Sequence, residues 1–206
     1  MHKEPYESNY DGYNEDNTDE QEQTVSQKSM NMRKEIFEWI QAIVIALVIA
    51  LLIRSYVFSL IKVNGHSMQP TLYHNERLVV TKLMYTPRQG DVIILDPPAH
   101  QQGPYVKRVV AVGGQTIDID YDNQKVYLDG VELQEDYIKE SISSRGNIKL
   151  PMRVPENTVF VLGDNRNNSR DSRYRDIGVV PHENIIGKVT IRIWPLDKIG
   201  SVYNEN

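Results

Sequence analysis

The chain divides at the stretch Val63-Asn64-Gly65-His66-Ser67-Met68-Gln69-Pro70-Thr71-Leu72. The most strongly apolar segment of the chain ends ten residues before this stretch, and runs of β-branched residues begin five residues after it. Pro70 disfavours a helix that starts close behind it, because proline lacks an N–H donor and clashes with the preceding turn. Gln69 stands where a G-x-S-x-G elbow would have its second glycine. We therefore expect a strand end or turn that carries Ser67 between an apolar helix and a strand-rich domain.

The apolar segment before this stretch has the composition of a membrane anchor. Its uninterrupted apolar run is Ala42–Ile53, and Trp39 and Tyr56 stand where an aromatic belt would lie. A spanning helix needs about 20 residues, and polar groups near one end can reach the interface. A cleaved signal peptide would start nearer the N-terminus, and a core helix would show a polar face. We predict a transmembrane anchor over residues 34–55.

The N-terminal region carries the acidic charge of the chain. Residues 1–30 hold eight carboxylates against two lysines, a net charge of −6, whereas the whole chain has −5. Such a segment buries too little apolar surface to offset its ordering entropy, so residues 1–33 are predicted to be a disordered acidic tail. Slightly more basic residues precede the anchor than follow it, which favours a cytoplasmic N-terminus and an extracytoplasmic domain over residues 56–206.

The absence of cysteine excludes thiol nucleophiles, disulfides and zinc sites with cysteine ligands. The five histidines show no H-x-x-x-H spacing, so no metal and no other cofactor is expected.

The remainder of the chain has the pattern of a β-rich domain. Turn signals such as Asp122-Asn123 and Asp129-Gly130 separate short runs of β-branched residues. Residues 134–157 show no clear period and are predicted to be an excursion from the sheet. Because amphipathic helices are almost absent, an all-β barrel or sandwich is predicted. The predicted strands are residues 77–81, 90–95, 105–112, 116–119, 125–128, 158–162 and 185–193.

Lys107 and Arg108 are adjacent on the predicted strand 105–112, where successive side chains point to opposite faces. If either face belongs to the core, one of these basic residues is buried. Arginine keeps its proton in proteins, whereas the pKa of a buried lysine can fall several units below about 10.4. Lys107 can then be neutral and serve as the general base for a serine. The strand pattern by itself favours the alternative, a Lys–Arg pair that blunts an edge strand or pairs with carboxylates.

A dense polar loop, Gly163–Tyr174, follows the apolar run Thr158–Leu162. Asp, Asn and Ser favour turns because their side chains bond the local backbone. The same groups can lock the rotamers of a neighbouring site. An acidic metal site is disfavoured here, because arginines are interleaved with the few carboxylates of the loop.

Four segments form a joint pattern, and they are Gly65–Leu72, Gly90–Val92, Tyr105–Val110 and Gly163–Arg173. In this order they resemble the bacterial type I signal peptidases, serine proteases of the Ser–Lys type. The resemblance spans about residues 36–193, and its most specific strings are S-M-x-P-T-L and G-D-N-R-x-x-S-x-D-S-R. It makes a catalytic role of Lys107 the favoured interpretation.

The resemblance implies a role for each matching position. Ser67 matches the nucleophile, Lys107 the general base, and Ser169 the serine that hydrogen-bonds the lysine. Asp171 and Arg173 match a supporting salt bridge, and Tyr105 is counted with these supporting residues. The positions that match the walls of the P1 and P3 pockets are Ile61, Val63, Met68 and Val106. Some members complete the oxyanion hole with a serine two residues before the nucleophile, whereas Gly65, as in Gram-positive-type members, leaves the second donor open.

The function implied is a plasma-membrane serine endopeptidase that removes N-terminal signal peptides after small-x-small sites. Secretory preproteins and membrane lipid are its expected partners, and nucleic acid is not. One alternative is a self-cleaving repressor-type Ser–Lys peptidase, which would carry a soluble N-terminal domain. Another is an inactive, membrane-anchored β-domain that binds exported chains, which would be expected to have lost Ser67 or Lys107. A Ser–His hydrolase using His66 is disfavoured, since adjacent strand side chains point to opposite faces.

Overall fold

The structure, a computed structural model, describes residues 16–83, 85–97 and 103–203, with side chains described from residue 32 onward. The chain separates into two compact units between Leu51 and Leu52. The first unit contains most of a long helix. The second contains all the strands of the described residues. The predicted fold class, a mostly β domain preceded by one apolar helix, is confirmed.

Helix α1 spans Asp16–Tyr56, and its part Met32–Tyr56 is long and apolar enough to cross a membrane. This part has 25 residues, which at 1.5 Å per residue give about 37 Å, more than the ~30 Å hydrocarbon core of a bilayer. The predicted anchor, residues 34–55, lies within it. No other helix of this kind occurs among the described residues.

The helix begins earlier than the predicted boundary between tail and anchor. Residues 16–33 were expected to be disordered, and they are helical from Asp16. Glu, Gln, Met and Lys in this segment are good helix formers, and extending an existing helix avoids the cost of nucleation. Residues 1–15 of the predicted tail lie outside the described residues.

The second unit contains two antiparallel sheets. In chain order the strands are β1 (Phe58–Lys62), β2 (Arg77–Thr81), β3 (Val92–Leu95), β4 (Tyr105–Val112), β5 (Thr116–Asp120), β6 (Lys125–Leu128), β7 (Val131–Glu132), β8 (Met152–Arg153), β9 (Thr158–Leu162), β10 (Val180–Pro181), β11 (Ile185–Trp194) and β12 (Gly200–Ser201). The large sheet has the order β1-β2-β11-β3-β4-β9-β10, and β12 pairs with β11. The small sheet has the order β7-β6-β5-β8.

Three buried clusters hold these sheets together. One joins the inner face of the small sheet to β4 and β9 through Ile117, Val126 and Phe160. A second packs Met68 and Leu72 against β2, β3 and β11. The third lies between β3, β4 and β9. Full burial of one such side chain contributes about 1.5–3 kcal/mol, so these contacts fix the loops that they include.

The seven predicted strands all occur, with ends that differ by at most two residues. Residues 134–157 are irregular apart from β8, as expected of an excursion from the sheet. Strand β1 was not predicted; its five residues, Phe58–Lys62, almost directly follow the helix. In β4 a bulge between Val109 and Ala111 interrupts the predicted alternation of faces, so Val110 and Ala111 join the same cluster.

The sheet register determines which segments meet at the site. Strand β4 pairs with β9 so that Arg108 lies opposite Leu162, the last residue of β9. The polar loop that starts at Gly163 therefore begins beside Lys107. The loop between β1 and β2 carries Ser67.

Candidate active site

Ser67 lies in a loop whose neighbouring residues are fixed by the core. The Val63 N–H donates to the Glu76 carbonyl at 2.8 Å, which closes the loop between β1 and β2. Met68 and Leu72 are buried at the two ends of a turn, in which the Leu72 N–H donates to the Met68 carbonyl at 2.8 Å. These contacts hold the backbone at Ser67 in one position.

Gly65 supplies a backbone conformation that this loop requires. Its φ of +104° lies in the left-handed region, where the backbone of any residue other than glycine is strained. Its N–H donates to His74 Nδ1 at 3.2 Å. Gly65 therefore shapes the loop, and its own N–H is engaged within the protein.

Lys107 reaches Ser67 from strand β4. Its Nζ lies 2.8 Å from Ser67 Oγ and donates to the Val106 carbonyl at 2.9 Å. Burial lowers the pKa of Lys107 to about 8, although the charges of Asp171 and Asp164 raise it. A neutral amine at this distance can accept the hydroxyl proton of Ser67 through its lone pair. The Tyr105 ring lies 5.2 Å from Nζ, centroid to nitrogen, and helps to exclude water.

Arg108, the other basic residue of this strand, is also buried and forms an ion pair. Its guanidinium binds both carboxylate oxygens of Asp164, with Nε–Oδ1 at 2.9 Å and Nη2–Oδ2 at 2.7 Å. Thr71 Oγ1 donates to the same carboxylate at 2.6 Å. This network connects the Ser67 loop, strand β4 and the polar loop. Removing one partner of such a buried pair typically costs about 3–5 kcal/mol.

Two further buried ion pairs hold the polar loop. Asp171 and Arg173 are fully buried and form two bonds of 2.8 Å, as the resemblance implies for these positions. Asp171 Oδ2 also accepts the Gly163 N–H at 3.1 Å. Arg166 forms two bonds with Glu135, a residue of the 134–157 excursion. The excursion therefore helps to support the loop that faces Lys107.

Ser169 does not make the bond that the resemblance implies. Its Oγ is buried and has no hydrogen-bond partner among the described residues, and Lys107 is not bonded to it. The Val106 carbonyl on strand β4 supplies the second contact of the lysine amine instead. The expectation that Ser169 orients the lysine by a hydrogen bond is corrected accordingly. Gly163 packs closely on both Ser169 Oγ and the Ser67 carbonyl, where a side chain would overlap with them.

A groove of about 250 Å³ opens beside Ser67 and Lys107. Ile61 and Val63 form part of its wall, and Met68 and Val106 form another part. All four residues predicted to line substrate pockets therefore lie around one cavity with Ser67 and Lys107. The exposed part of the groove includes Arg170, whose Nε bonds Asp176 at 2.7 Å.

Several contributing residues were not assigned a role from the sequence. They are Thr71, Arg108, Glu135, Asp164, Asn165 and Arg166. One alternative given for the two adjacent basic residues was pairing with a carboxylate partner, and Arg108 has such a partner. Its identity depends on the pairing of β4 with β9, which brings Asp164 within reach and which no local pattern encodes. Glu135 lies in residues 134–157, whose sequence shows neither helix nor strand periodicity and therefore did not indicate its position.

Comparison with known proteins places these features in one family. Residues 36–194 match the family described as signal peptidase, peptidase S26. The chain is 36% identical over 182 residues to signal peptidase I P of Bacillus subtilis subsp. natto, which covers 84% of this chain and 96% of that protein. It is 42% identical over 178 residues to probable signal peptidase I-1 of Synechocystis sp., and this match covers 81% of this chain and 87% of that protein. A solved signal peptidase I of Enterococcus faecalis V583 is 27% identical, covers 52% of this chain and 98% of its own, and has a TM-score of 0.39.

The fold and the family match define the class of the protein as a serine endopeptidase. The chain belongs to the signal peptidase family, peptidase S26, and is of the bacterial type I.

Proposed function

We propose that the protein is a membrane-anchored endopeptidase that removes N-terminal signal peptides from secretory preproteins by Ser–Lys catalysis. The observation that carries the proposal is the 2.8 Å separation of Ser67 Oγ and the buried Lys107 Nζ. The names of the relatives, signal peptidase I, support the substrate class. No cofactor is invoked in any step.

In the proposed mechanism the neutral Lys107 amine accepts the Ser67 proton as Oγ attacks the scissile carbonyl. The ammonium then gives this proton to the leaving amine, and an acyl-enzyme ester remains on Ser67. The same amine next accepts a proton from a water molecule, which attacks the ester and releases the signal peptide. As the ester bond breaks, the ammonium gives the proton taken from water to Ser67 Oγ, so the signal peptide leaves with a new carboxyl group and the enzyme ends in its starting state.

The tetrahedral intermediate carries negative charge on the former carbonyl oxygen. The Ser67 N–H makes no hydrogen bond within the described residues, which leaves it available as a donor to this oxygen. Losing one such donor typically raises the barrier by about 2.7–4 kcal/mol. We therefore include the Ser67 N–H in the proposed oxyanion hole.

The groove explains the proposed preference for small residues at P1 and P3. Its apolar wall is built from Ile61, Val63, Met68 and Val106, and its volume is about 250 Å³. Alanine side chains at P1 and P3 would bury apolar surface against such a wall. This apolar wall beside Ser67 supports the proposed small-x-small cleavage sites.

The anchor is assigned to the apolar part of α1, Met32–Tyr56. The helix would bring the peptidase domain to a membrane, where lipid and translocated preproteins are present together. Lys28, Arg33 and Lys34 precede the apolar run, and Arg54 and Lys62 follow it. This slight excess favours a single pass with a cytoplasmic N-terminus and an extracytoplasmic peptidase domain.

The test uses the full chain in detergent and a preprotein with alanine at P1 and P3. Ser67→Ala and Lys107→Ala are each expected to abolish cleavage while the melting temperature stays that of a folded protein. Ser59→Ala and Lys125→Ala are matched controls, since both residues lie on strands outside the groove. Near wild-type turnover by either site variant would overturn the dyad assignment.

The same assay separates the alternatives. An inactive binding domain would bind the preprotein and release no product. A self-cleaving peptidase would cut its own chain and leave the added preprotein intact. Product appearing from the preprotein in trans, with the enzyme unchanged in mass, supports the proposed function over both.

A further inference from the structure

Asn165 in the polar loop binds the backbone on both sides of Ser67. Its side-chain Nδ2 donates to the His66 carbonyl at 3.0 Å, and its backbone N–H donates to the Ser67 carbonyl at 3.0 Å. The residue is buried, with 1% of its surface exposed. One residue therefore fixes the two peptide groups that flank Ser67.

The first of these peptide groups, between His66 and Ser67, carries the Ser67 N–H. A trans peptide is planar, and its C=O and N–H point in opposite directions. A bond that holds the His66 carbonyl consequently sets the direction of the Ser67 N–H. The same carbonyl accepts the Gln69 N–H at 3.3 Å. Bonds to a carbonyl polarise the amide and make its N–H a stronger donor.

Of the two polar atoms of the Asn165 side chain, only the donor Nδ2 has a hydrogen-bond partner among the described residues. Asn165 Oδ1 is buried and has no hydrogen-bond partner among the described residues. A buried acceptor without a partner costs about 1–3 kcal/mol, which an apolar side chain of similar size would avoid. The amide is therefore explained by what Nδ2 does at His66 and not by packing alone.

We propose that Asn165 is a positioning residue of the oxyanion hole, acting through the His66 carbonyl on the Ser67 N–H. The proposal rests on the proposed function, in which this N–H binds the tetrahedral intermediate. Asn165 itself does not contact the substrate. Because the oxyanion forms only during the reaction, loss of Asn165 Nδ2 lowers kcat and leaves ground-state binding unchanged.

Asn167, two residues along the same loop, offers a matched control. Its Nδ2 also donates to a backbone carbonyl, that of Ser141, at 3.0 Å. Its Oδ1 accepts the N–H groups of Ser143 and Ser144 at 2.8 and 2.9 Å. Replacing either asparagine by aspartate removes one donor to a carbonyl and adds one negative charge. Only the change at Asn165 affects the peptide that carries the Ser67 N–H.

The kinetic experiment compares Asn165→Asp with Asn167→Asp in the full chain, using the preprotein with alanine at P1 and P3. We expect Asn165→Asp to lower kcat by about 10- to 100-fold, less than the loss of a direct donor, with KM within about twofold. Asn167→Asp should keep kcat within about twofold. The added charge would also raise the pKa of Lys107, which lowers kcat at neutral pH. The measurement of kcat is therefore extended to about pH 10, where the lysine is neutral and only the loss of the Asn165 donor still lowers kcat.

A transition-state analogue gives a readout that a purely structural role would not move. A peptide aldehyde with alanine at P1 and P3 forms a hemiacetal with Ser67 Oγ: the aldehyde carbon gains the C–O bond and becomes tetrahedral, the C=O π bond breaks, and the former carbonyl oxygen takes the place of the oxyanion. Its affinity should fall by the same factor as kcat in Asn165→Asp. The affinity of a non-cleavable peptide of the same sequence should not change. The neutral variant Asn165→Ala should show the same pattern.

Three results would overturn the inference while the wild-type enzyme remains active. They are an equal loss of kcat in Asn167→Asp, a loss confined to KM, and recovery of kcat at about pH 10. An unchanged aldehyde affinity in both Asn165 variants would do the same. A wild-type enzyme that does not cleave the preprotein would instead overturn the proposed function itself.

Discussion

Lys107 combines a titratable amine with near-complete burial. Only 4% of its surface is exposed, and this burial lowers the pKa to about 8. A general base must be neutral, so about one lysine in ten is active at pH 7. We expect kcat/KM to rise by nearly tenfold per pH unit from about pH 6 and to level off above the Lys107 pKa. A pH series with a soluble Ala-x-Ala peptide measures this profile.

The control for the pH profile is Lys107→Arg. Arginine cannot give up its proton in a protein, so this variant should cleave no substrate at any pH. A wild-type rate that is flat between about pH 6 and 8 would contradict the assignment of Lys107 as the titrating base.

The same burial should make Lys107 a destabilising residue. Its folded-state pKa is lowered, so the unfolded chain binds more protons and stability rises as the pH increases from about 8 to about 10.5. At pH 7 the lowered pKa corresponds to a cost of roughly 3 kcal/mol. Lys107→Met should therefore be inactive but melt about 6–12 °C higher than wild type at pH 7.

Thermal denaturation of both proteins in the same detergent tests this expectation. The difference in melting temperature should shrink as the pH approaches about 10.5, because the wild-type lysine is then neutral in the folded protein and only half protonated in the unfolded chain. An advantage of Lys107→Met that does not depend on pH would show that packing, and not the charge, is responsible.

At the scale of elements, the loop Gly163–Tyr174 must approach the Ser67 loop closely. A methyl group at Gly163 would overlap with Ser169 and lie 2.5 Å from the Ser67 carbonyl oxygen. Gly163→Ala therefore moves the Ser67 backbone relative to Lys107. A misplacement of about 1 Å can cost 100-fold in rate, and we expect a loss of kcat of this order. Overpacking should also lower stability by about 1–3 kcal/mol.

The matched substitution is Gly200→Ala in β12. A methyl group there would meet nothing within 4 Å. Its activity should equal that of wild type, and its stability should change by less than about 0.5 kcal/mol. Comparable kcat values for the two alanine variants, measured on the same peptide, would show that the close approach at Gly163 is not needed for catalysis.

At the scale of the whole molecule, the helix and the β-rich domain are separate compact units. A chain that begins at Val57 retains every strand of the described residues. We expect it to cleave a soluble Ala-x-Ala peptide with the kcat/KM of the full chain. It should process a preprotein inserted in lipid vesicles at least about tenfold more slowly, because anchoring raises the local concentration of enzyme.

Full-length Ser67→Ala, tested on both substrates, gives the background for this comparison. An equal loss on the soluble peptide and on the vesicle-bound preprotein would show that the helix is needed for folding or catalysis. A loss confined to the vesicles supports its role as an anchor.

The sequence by itself determined the parts of this protein that depend on local composition. The apolar run Ala42–Ile53, extended by a segment whose polar groups can reach the interface and flanked by Trp39 and Tyr56, predicted the membrane helix. Runs of β-branched residues between turn residues predicted seven strands. The motifs around Ser67, Lys107 and Gly163–Arg173 predicted the catalytic class through their resemblance to one family.

Only the tertiary structure decided which of these residues meet, because contacts between distant segments follow from strand register and core packing. Ser67 and Lys107 are 40 residues apart in the chain and 2.8 Å apart in space. The pairing of β4 with β9 gives Arg108 its partner Asp164, and burial by neighbouring elements lowers the pKa of Lys107. Val106, not Ser169, provides the second contact of the amine. A local pattern identifies residue types, but burial and distance arise only when the strands have assembled.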